Sequence, residues 1–303
     1  MIENLSMKPF LAPDDVTTET LSRTGAPVSR RQACQCISLS CASVLVSQPT
    51  GRGDDSLARS ESTAAKPTRT KKGICGKGTK CDLVNAGWYY NWNWAPTPGK
   101  IDAEFVPMIK GKFNAVDKAF AKIEKLKESH GVTHLLGFNE PDSPKQGNTS
   151  VEKAVALWPK LMDTGLRLGS PAVTDNARGK AWFKAFAAQA AAKKLRVDFI
   201  AVHRYPNLQK KGVALQFLRS LEQLYREYRL PIWITEFSGL NFGSKDRHMT
   251  PADNVEFMQN VLPKLEQLPY IERYAWFSGD IASLYVKDKP SELGWIGKVY
   301  RQF

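Results

Sequence analysis

The chain has 303 residues, 42% hydrophobic and 10% aromatic with 8 Trp, and a formal net charge of +13. That length and apolar content suit one large domain with a sizeable core, and the lack of any run of 18 or more apolar residues predicts no membrane span. The basic charge does not form the clustered footprint that nucleic-acid binding requires: residues 1–72 hold 10 Lys/Arg against 7 Asp/Glu, and the remaining excess is scattered at single positions.

Residues 1–70 are rich in Ser, Thr, Arg, Asp, Pro and Gly and have too little apolar surface to order themselves, so a disordered leader is expected there. Within it, the stretch 33–46 (ACQCISLSCASVLV) follows Arg30 and Arg31 in the charge-then-apolar order of a secretory signal. It lies some thirty residues inside the chain, diluted by Ser, Cys and Gln, and is not a clean N-terminal signal peptide. Secretion or cell-wall association is the expectation it supports. The tripeptide Arg52-Gly53-Asp54 is too short to carry a function. Cys34, Cys36 and Cys41 belong to the leader. Cys75 and Cys81 frame a short glycine-bearing segment that reads either as a small disulfide loop or as a reduced pair. His130, His134, His203 and His248 have no ligand spacing beside these cysteines, so neither a metal nor an organic cofactor is expected.

From Lys71 to Phe303 short apolar runs alternate with longer amphipathic ones. The strand-like runs are 72–75 (KGIC), 87–92 (GWYYNW), 104–110 (EFVPMIK), 133–140 (THLLGFNE), 167–173 (RLGSPAV), 198–205 (DFIAVHRY), 231–237 (PIWITEF) and 273–279 (RYAWFSG). Val116, Phe120, Ile123 and Leu126 make one helical stripe; Phe217, Leu221, Leu224 and Tyr228 make another. Thr149 with Glu152 reads as a capping box, and Thr250 before Pro251 as an N-cap with proline at the first helical position. Strands alternating with helices imply βαβ units and a parallel sheet. Eight strands over residues 71–303 predict an α/β fold, a (β/α)8 TIM barrel preceded by the leader. A doubly wound open sheet is the structural alternative, but no glycine-rich phosphate fingerprint followed by a helix supports it.

In such a barrel the catalytic groups stand at the C-terminal ends of the strands. The fourth run ends in Asn139-Glu140, followed by Pro141-Asp142, and the seventh in Thr235-Glu236-Phe237. One strand-end glutamate would serve as a structural hydrogen-bond acceptor. Two, on strands four and seven, face one another across the barrel mouth. Facing carboxylates are what glycoside hydrolysis needs: one protonates the leaving oxygen, the other attacks the anomeric carbon or activates water. Asn139, beside the acid, can hydrogen-bond a sugar hydroxyl.

The segments WYYNW, EFVPMIK, LLGFNEPD, LGSPAV, DFIAVHRY and WITEF resemble the glycosyl hydrolase catalytic core of glycoside hydrolase family 128. That family includes fungal alkali-sensitive-linkage cell-wall proteins and endo-β-1,3-glucanases. The similarity runs from about Lys72 to Tyr300. It implies a retaining glycosidase acting on β-glucan, with Glu140 as acid/base and Glu236 as nucleophile, their carboxyl groups roughly 5–5.5 Å apart. Because flat rings stack on sugar faces, the strand-end aromatics Trp88, Tyr90 and Trp92, with His203, Tyr205 and Trp276, are candidate walls of a sugar site. Trp158, Trp182 and Trp295 fall on helices and are expected to pack. The expected partner is a β-glucan polysaccharide and the expected state a monomer. The rival reading is a non-catalytic or transglycosylating glucan-binding wall protein. Asn4-Leu5-Ser6 and Asn148-Thr149-Ser150 are glycosylation sequons that matter only on export.

Overall fold

The computed structural model describes residues 70–111, 116–242, 244–245 and 247–303; the expected leader, its signal-like stretch and the Arg-Gly-Asp tripeptide lie outside the described residues. Eight parallel strands form the centre: β1 (Lys72–Cys75), β2 (Trp88–Tyr90), β3 (Glu104–Phe105), β4 (His134–Leu136), β5 (Arg167–Gly169), β6 (Ile200–Arg204), β7 (Ile232–Phe237) and β8 (Ile271–Phe277). Six run in the order β3-β2-β1-β8-β7-β6, and β4 pairs with β5. Parallel bridges Met108–Leu136 and Gly169–Phe199 join the two sheets on both sides. The sheet therefore closes into the expected barrel.

Helices α1 (Val116–His130), α2 (Val151–Met162), α3 (Ala177–Ala192), α4 (Val213–Tyr228), α5 (Pro251–Gln267) and α6 (Trp295–Gln302) follow strands three to eight. The first two strands depart from the expected pattern. Two 3-10 turns link β1 to β2, and β2 runs to β3 with no helix among the described residues. A small hairpin, β9 (Tyr285–Val286) with β10 (Lys289–Leu293), precedes α6. No helix among the described residues is long and apolar enough to cross a membrane.

Strand alternation sorts the apolar side chains into two layers. Ile200, Val202, Ile232 and Ile234 point outward beneath the helices, while Ala201, Trp233, Ala275 and Leu136 fill the barrel interior. The predicted stripe of α4 is the docking face: Phe217, Leu221 and Tyr228 are buried, each burial worth about 1.5–3 kcal/mol. Lys71 donates to the carbonyls of Leu265, Glu266 and Leu268, and Lys72 to that of Tyr300. The start of the first strand and the residue before it thus place two cations on the carbonyl ends of α5 and α6.

Two local expectations, on Thr149 and Trp295, are corrected, and one open alternative, on Cys75 and Cys81, is decided. The α2 cap is Ser150, whose hydroxyl accepts from the Lys153 amide, while Thr149 is buried and bonds to Gly147 O; the apolar face, not the nominal Thr–Glu spacing, sets the helix start. Thr250 does cap α5, in a reciprocal box with Asp253. Cys75 and Cys81 are free thiols in different layers, Cys75 inside the barrel and Cys81 outside. Burial raises the Cys75 thiol well above its usual pKa and pushes Cys81 to about 12. Trp158 and Trp182 pack as expected, but Trp295 is 56% exposed.

Candidate active site

The fourth strand delivers its glutamate through a tight corner. Asn139 still pairs with Ala172, then Glu140 turns at φ 41°, in the left-handed region. Its amide donates to Ala172 O at 2.6 Å. Asp142 anchors the corner by accepting from the Thr174 amide at 3.0 Å, from the Thr174 hydroxyl and from Arg178. Gly147 closes over it so tightly that a Cβ there would stand 2.4 Å from Asn139 O. A non-glycine residue at positive φ costs on the order of 1–3 kcal/mol and persists where its surroundings over-determine it. The corner supplies those surroundings.

Glu236 reaches the mouth by a different device. Strict alternation along β7, with Trp233 inside and Ile234 outside, would turn Glu236 away from the interior. The register shifts instead, so that Val202 pairs with Ile234 but His203 pairs with Glu236. The extra residue is a bulge that re-aims the carboxylate inward, and Phe237 returns to the outer layer.

The two carboxylates meet around His203. One carboxylate oxygen of Glu140, one of Glu236 and a His203 ring nitrogen all lie within 4.8 Å of one another. His203 Nδ1 is 3.0 Å from Glu140 Oε1 and 3.4 Å from Glu236 Oε2. Burial opposes a charge on His203, but Glu236 and Glu140 outweigh it and raise its pKa above the usual value. Glu236 accepts from Tyr90 at 3.0 Å and Trp92 at 2.7 Å on one oxygen, and from the Tyr205 hydroxyl on the other. Burial, then the Glu236 charge, raises both phenols far above their usual values, so they stay neutral donors. Hydrogen bonds thus tie Glu140, His203 and Glu236 into one buried cluster with Tyr90, Trp92 and Tyr205.

The cleft above the pair has a volume of about 570 Å3 and is lined by Trp92, Asn139, Glu140, Tyr205 and Glu236, with Lys110, Gln146, Asp175, Phe242, Arg247 and Phe277 around the rim. Asn139 Oδ1 and His203 Nε2 are buried with no hydrogen-bond partner among the described residues. Of the sequence candidates, Glu140, Glu236, Asn139, His203 and Tyr205 come together. Tyr90 is buried beneath them and touches Glu236 rather than the open cleft.

Two candidates are corrected. Trp88 lies in the interior at the opposite end of β2, donating to Lys71 O and covered by the Arg273 guanidinium. Trp276 points outward, packed on Phe237 and Tyr300 and bonded to Ala282 O, away from the glutamates. The next residue, Phe277, takes the cleft position. A one-residue step along a strand reverses the face, which is why Trp276 is displaced by its neighbour. Trp92, the strand-end member of the same aromatic run as Trp88, is the ring that reaches Glu236. The rim residues on loops carry no periodic signal that could have found them.

Residues 76–300 match the family model described as Glycosyl hydrolase catalytic core. The chain belongs to this family. The glycosyl hydrolase is 30% identical over 211 residues to alkali-sensitive linkage protein 1 of Schizosaccharomyces pombe, a match covering 66% of this chain and 36% of that protein; the chain therefore spans about a third of that relative's length. Among solved structures it is similar to an endo-β-1,3-glucanase of family 128, subgroup I, from Amycolatopsis mediterranei, in complex with laminaritriose. That likeness has 33% identity and a TM-score of 0.68 and covers 77% of this chain and 99% of that one. A curdlan-specific exo-β-1,3-glucanase of subgroup III from Blastomyces gilchristii, in complex with glucose, is 30% identical, with a TM-score of 0.65 over 77% of this chain and 98% of the other.

Proposed function

We propose that this glycosyl hydrolase cleaves β-1,3-glucan within chains and with retention of configuration, using Glu140 as acid/base and Glu236 as nucleophile. The observation that carries the reading is the pair itself: carboxylate oxygens from two strand ends within 4.8 Å. Retaining glycosidases hold their carboxyl groups roughly 5–5.5 Å apart, whereas inverting ones leave room for a water at roughly 6.5–9.5 Å. The substrate class is supported by the relatives, one carrying laminaritriose and another described as acting on curdlan. Two variants of the bacterial relative replace different glutamates and carry bound laminari-oligosaccharides. Their spacing in that chain is within one residue of the Glu140–Glu236 spacing here.

In the first step Glu140 gives its proton to the glycosidic oxygen while a Glu236 oxygen bonds to the anomeric carbon, and the leaving chain departs as an alcohol. Oε1 takes two donors, Tyr90 and Trp92, whereas Oε2 takes the Tyr205 hydroxyl and keeps a lone pair, so Oε2 is the oxygen that attacks. In the second step Glu140, now ionised, takes a proton from water as its oxygen attacks the same carbon, and Glu236 is released. A protonated His203 offsets the charge of one carboxylate and keeps two acids compatible in one buried site. Asn139 Oδ1, buried without a partner, accepts from a sugar hydroxyl. Each barrel carries a complete site, so a monomer suffices. A polymer of this kind is met outside the cell or in its wall, so secretion or wall association is part of the proposal.

The test is a panel of β-1,3-, β-1,4- and mixed-linkage glucans, with the first-formed anomer read by proton NMR. Release of the β-anomer from the β-1,3 substrate is expected. Activity confined to another linkage would overturn the substrate, and the α-anomer would overturn the mechanism. No sugar release from any glucan would favour a binding protein instead.

A further inference from the structure

Helices α3 and α4 do not close over β6, the strand they flank. They meet where Phe183 and the last residue of α4, Tyr228, pack edge to face with ring centroids 5.4 Å apart. Beside that contact a cavity of about 300 Å3 opens on the outer wall of the barrel, floored by Ile200 and Val202 of β6. Strands run toward the catalytic mouth and helices run back, so the cavity has two unlike ends. Toward the N-terminal mouth its walls are Ile200, Leu224 and Tyr228. Toward the catalytic mouth stand Arg204 at the end of β6 and, from the first two turns of α3, Lys180 and Lys184.

We propose that this groove binds a small carboxylate with an apolar body, its charge set among Lys180, Lys184 and Arg204 and its body on Ile200, Leu224 and Tyr228. The positive end is under-neutralised. Lys180 and Lys184 stand one helical turn apart, where like charges repel. Lys180 also lies near the positive end of the α3 dipole, in a helix with no acid in its first turn. Arg204 meets one acid, Asp175, at 3.4 Å. Burial lowers the Arg204 pKa by more than Asp175 restores, so the guanidinium would gain from a second anion. The acid in the lining, Glu227, belongs to the last turn of α4 at the far end, where it accepts from the Tyr228 phenol. An inorganic anion would leave the apolar floor bare, and a neutral apolar molecule would leave the cations unmatched; an apolar-bodied carboxylate uses both ends. The volume suits one small molecule, at the lower end of the roughly 300–1,000 Å3 of such sites. Thr174 borders both this cavity and the catalytic cleft, yet its hydroxyl is committed to Asp142, so the two sites are separate. The inference does not depend on the glucan reading.

The probe is octanoate, kept below the concentration at which it forms micelles and titrated against the full chain by ligand-observed NMR. Inorganic phosphate and 1-octanol, titrated in the same way, present the charge and the tail separately. Octanoate should bind saturably and at least about tenfold more tightly than either. Lys180→Glu, at an exposed position, should weaken it by about tenfold, the loss of one charged hydrogen bond. Leu224→Glu, which places an acid at the apolar end, should weaken it by about as much. Lys110→Met removes a cation from the rim of the catalytic cleft and should leave octanoate affinity unchanged. Octanoate binding no tighter than 1-octanol or phosphate would overturn the site, as would an absence of saturable binding. So would an affinity that survives Lys180→Glu and falls in Lys110→Met, since the carboxylate would then sit in the catalytic cleft.

Discussion

Both mouths of the barrel hold a glutamate–histidine pair among tryptophans, and they are built to opposite ends. At the N-terminal mouth Glu104 lies 3.3 Å from His134 and 2.7 Å from Arg273, while Arg167 pairs with Glu272 at 3.1 Å. The Arg273 guanidinium lies 4.2 Å from the Trp233 ring centroid. Carboxylates there have permanent cations, and the rings stack on one another: Phe199 and Trp233 are 4.1 Å apart. At the C-terminal mouth Glu140 and Glu236 have no arginine partner among the described contacts. Their partners are His203 and neutral donors. The same residue types form a plug where a fixed charge neutralises them and, in the proposed function, a reaction centre where a movable proton does.

Breaking the upper mouth should give the largest effect. Glu236→Ala is expected to lower kcat by about 10,000-fold or more, and Glu140→Ala by roughly 100- to 10,000-fold, with a smaller loss on a substrate whose leaving group needs no proton. Comparable losses from Glu104→Gln would erase the distinction between the two ends. Arg273→Met should instead act on stability. It strips the cation from a buried carboxylate and should cost about 3–5 kcal/mol in urea unfolding, with kcat unchanged where the protein stays folded. Tyr205→Phe removes one donor to Glu236 and should lower kcat by about 10- to 100-fold, while unfolding stability changes little.

The smallest effect is in the pH dependence of stability, and it should have opposite sign at the two mouths. His203 has a raised pKa, so its contribution is fully present below the unfolded value of about 6.5 and is lost as pH rises through the higher folded value. His134 has a lowered pKa, from burial and from Arg273 and Arg167, against the pull of Glu104. Its folded form resists protonation, so stability falls as pH drops from about 6.5 through the lower folded value. His203→Gln should therefore flatten the decline on the alkaline side and His134→Gln the one on the acid side. Unfolding free energies at a series of pH values decide it; no change of slope in either variant would contradict the contrast.

Much of the lower architecture was legible in the sequence because it follows period and composition. Seven strand positions and the buried faces of α1 and α4 follow from apolar spacing, while the short first strand, flanked by Cys and Gly, needed the family resemblance beside it. Glu140 and Glu236 could be recognised because charged ends on apolar strands are anomalous. The aim of Glu236, however, depends on a bulge that no alternation rule contains. Trp276 and Phe277 are both aromatic neighbours on β8, and composition cannot say which one faces inward. Trp88 shares the inward face of Trp92, but β2 is only three residues long, and the length of a strand decides which ring reaches the mouth. Lys110, Gln146, Asp175 and Arg247 reach the cleft from loops, whose paths are set by contacts between segments distant in sequence.

The proposed covalent bond between Glu236 and the sugar is tested most directly by trapping it. The protein would be incubated with a 2-deoxy-2-fluoro-β-laminaribiosyl fluoride, whose fluorine slows the second step more than the first, then digested and mapped by mass spectrometry. One fluoroglycosyl adduct is expected on the peptide containing Glu236, absent in Glu236→Gln. An adduct on Glu140, or no adduct under conditions where the wild type turns over laminarihexaose, would contradict it.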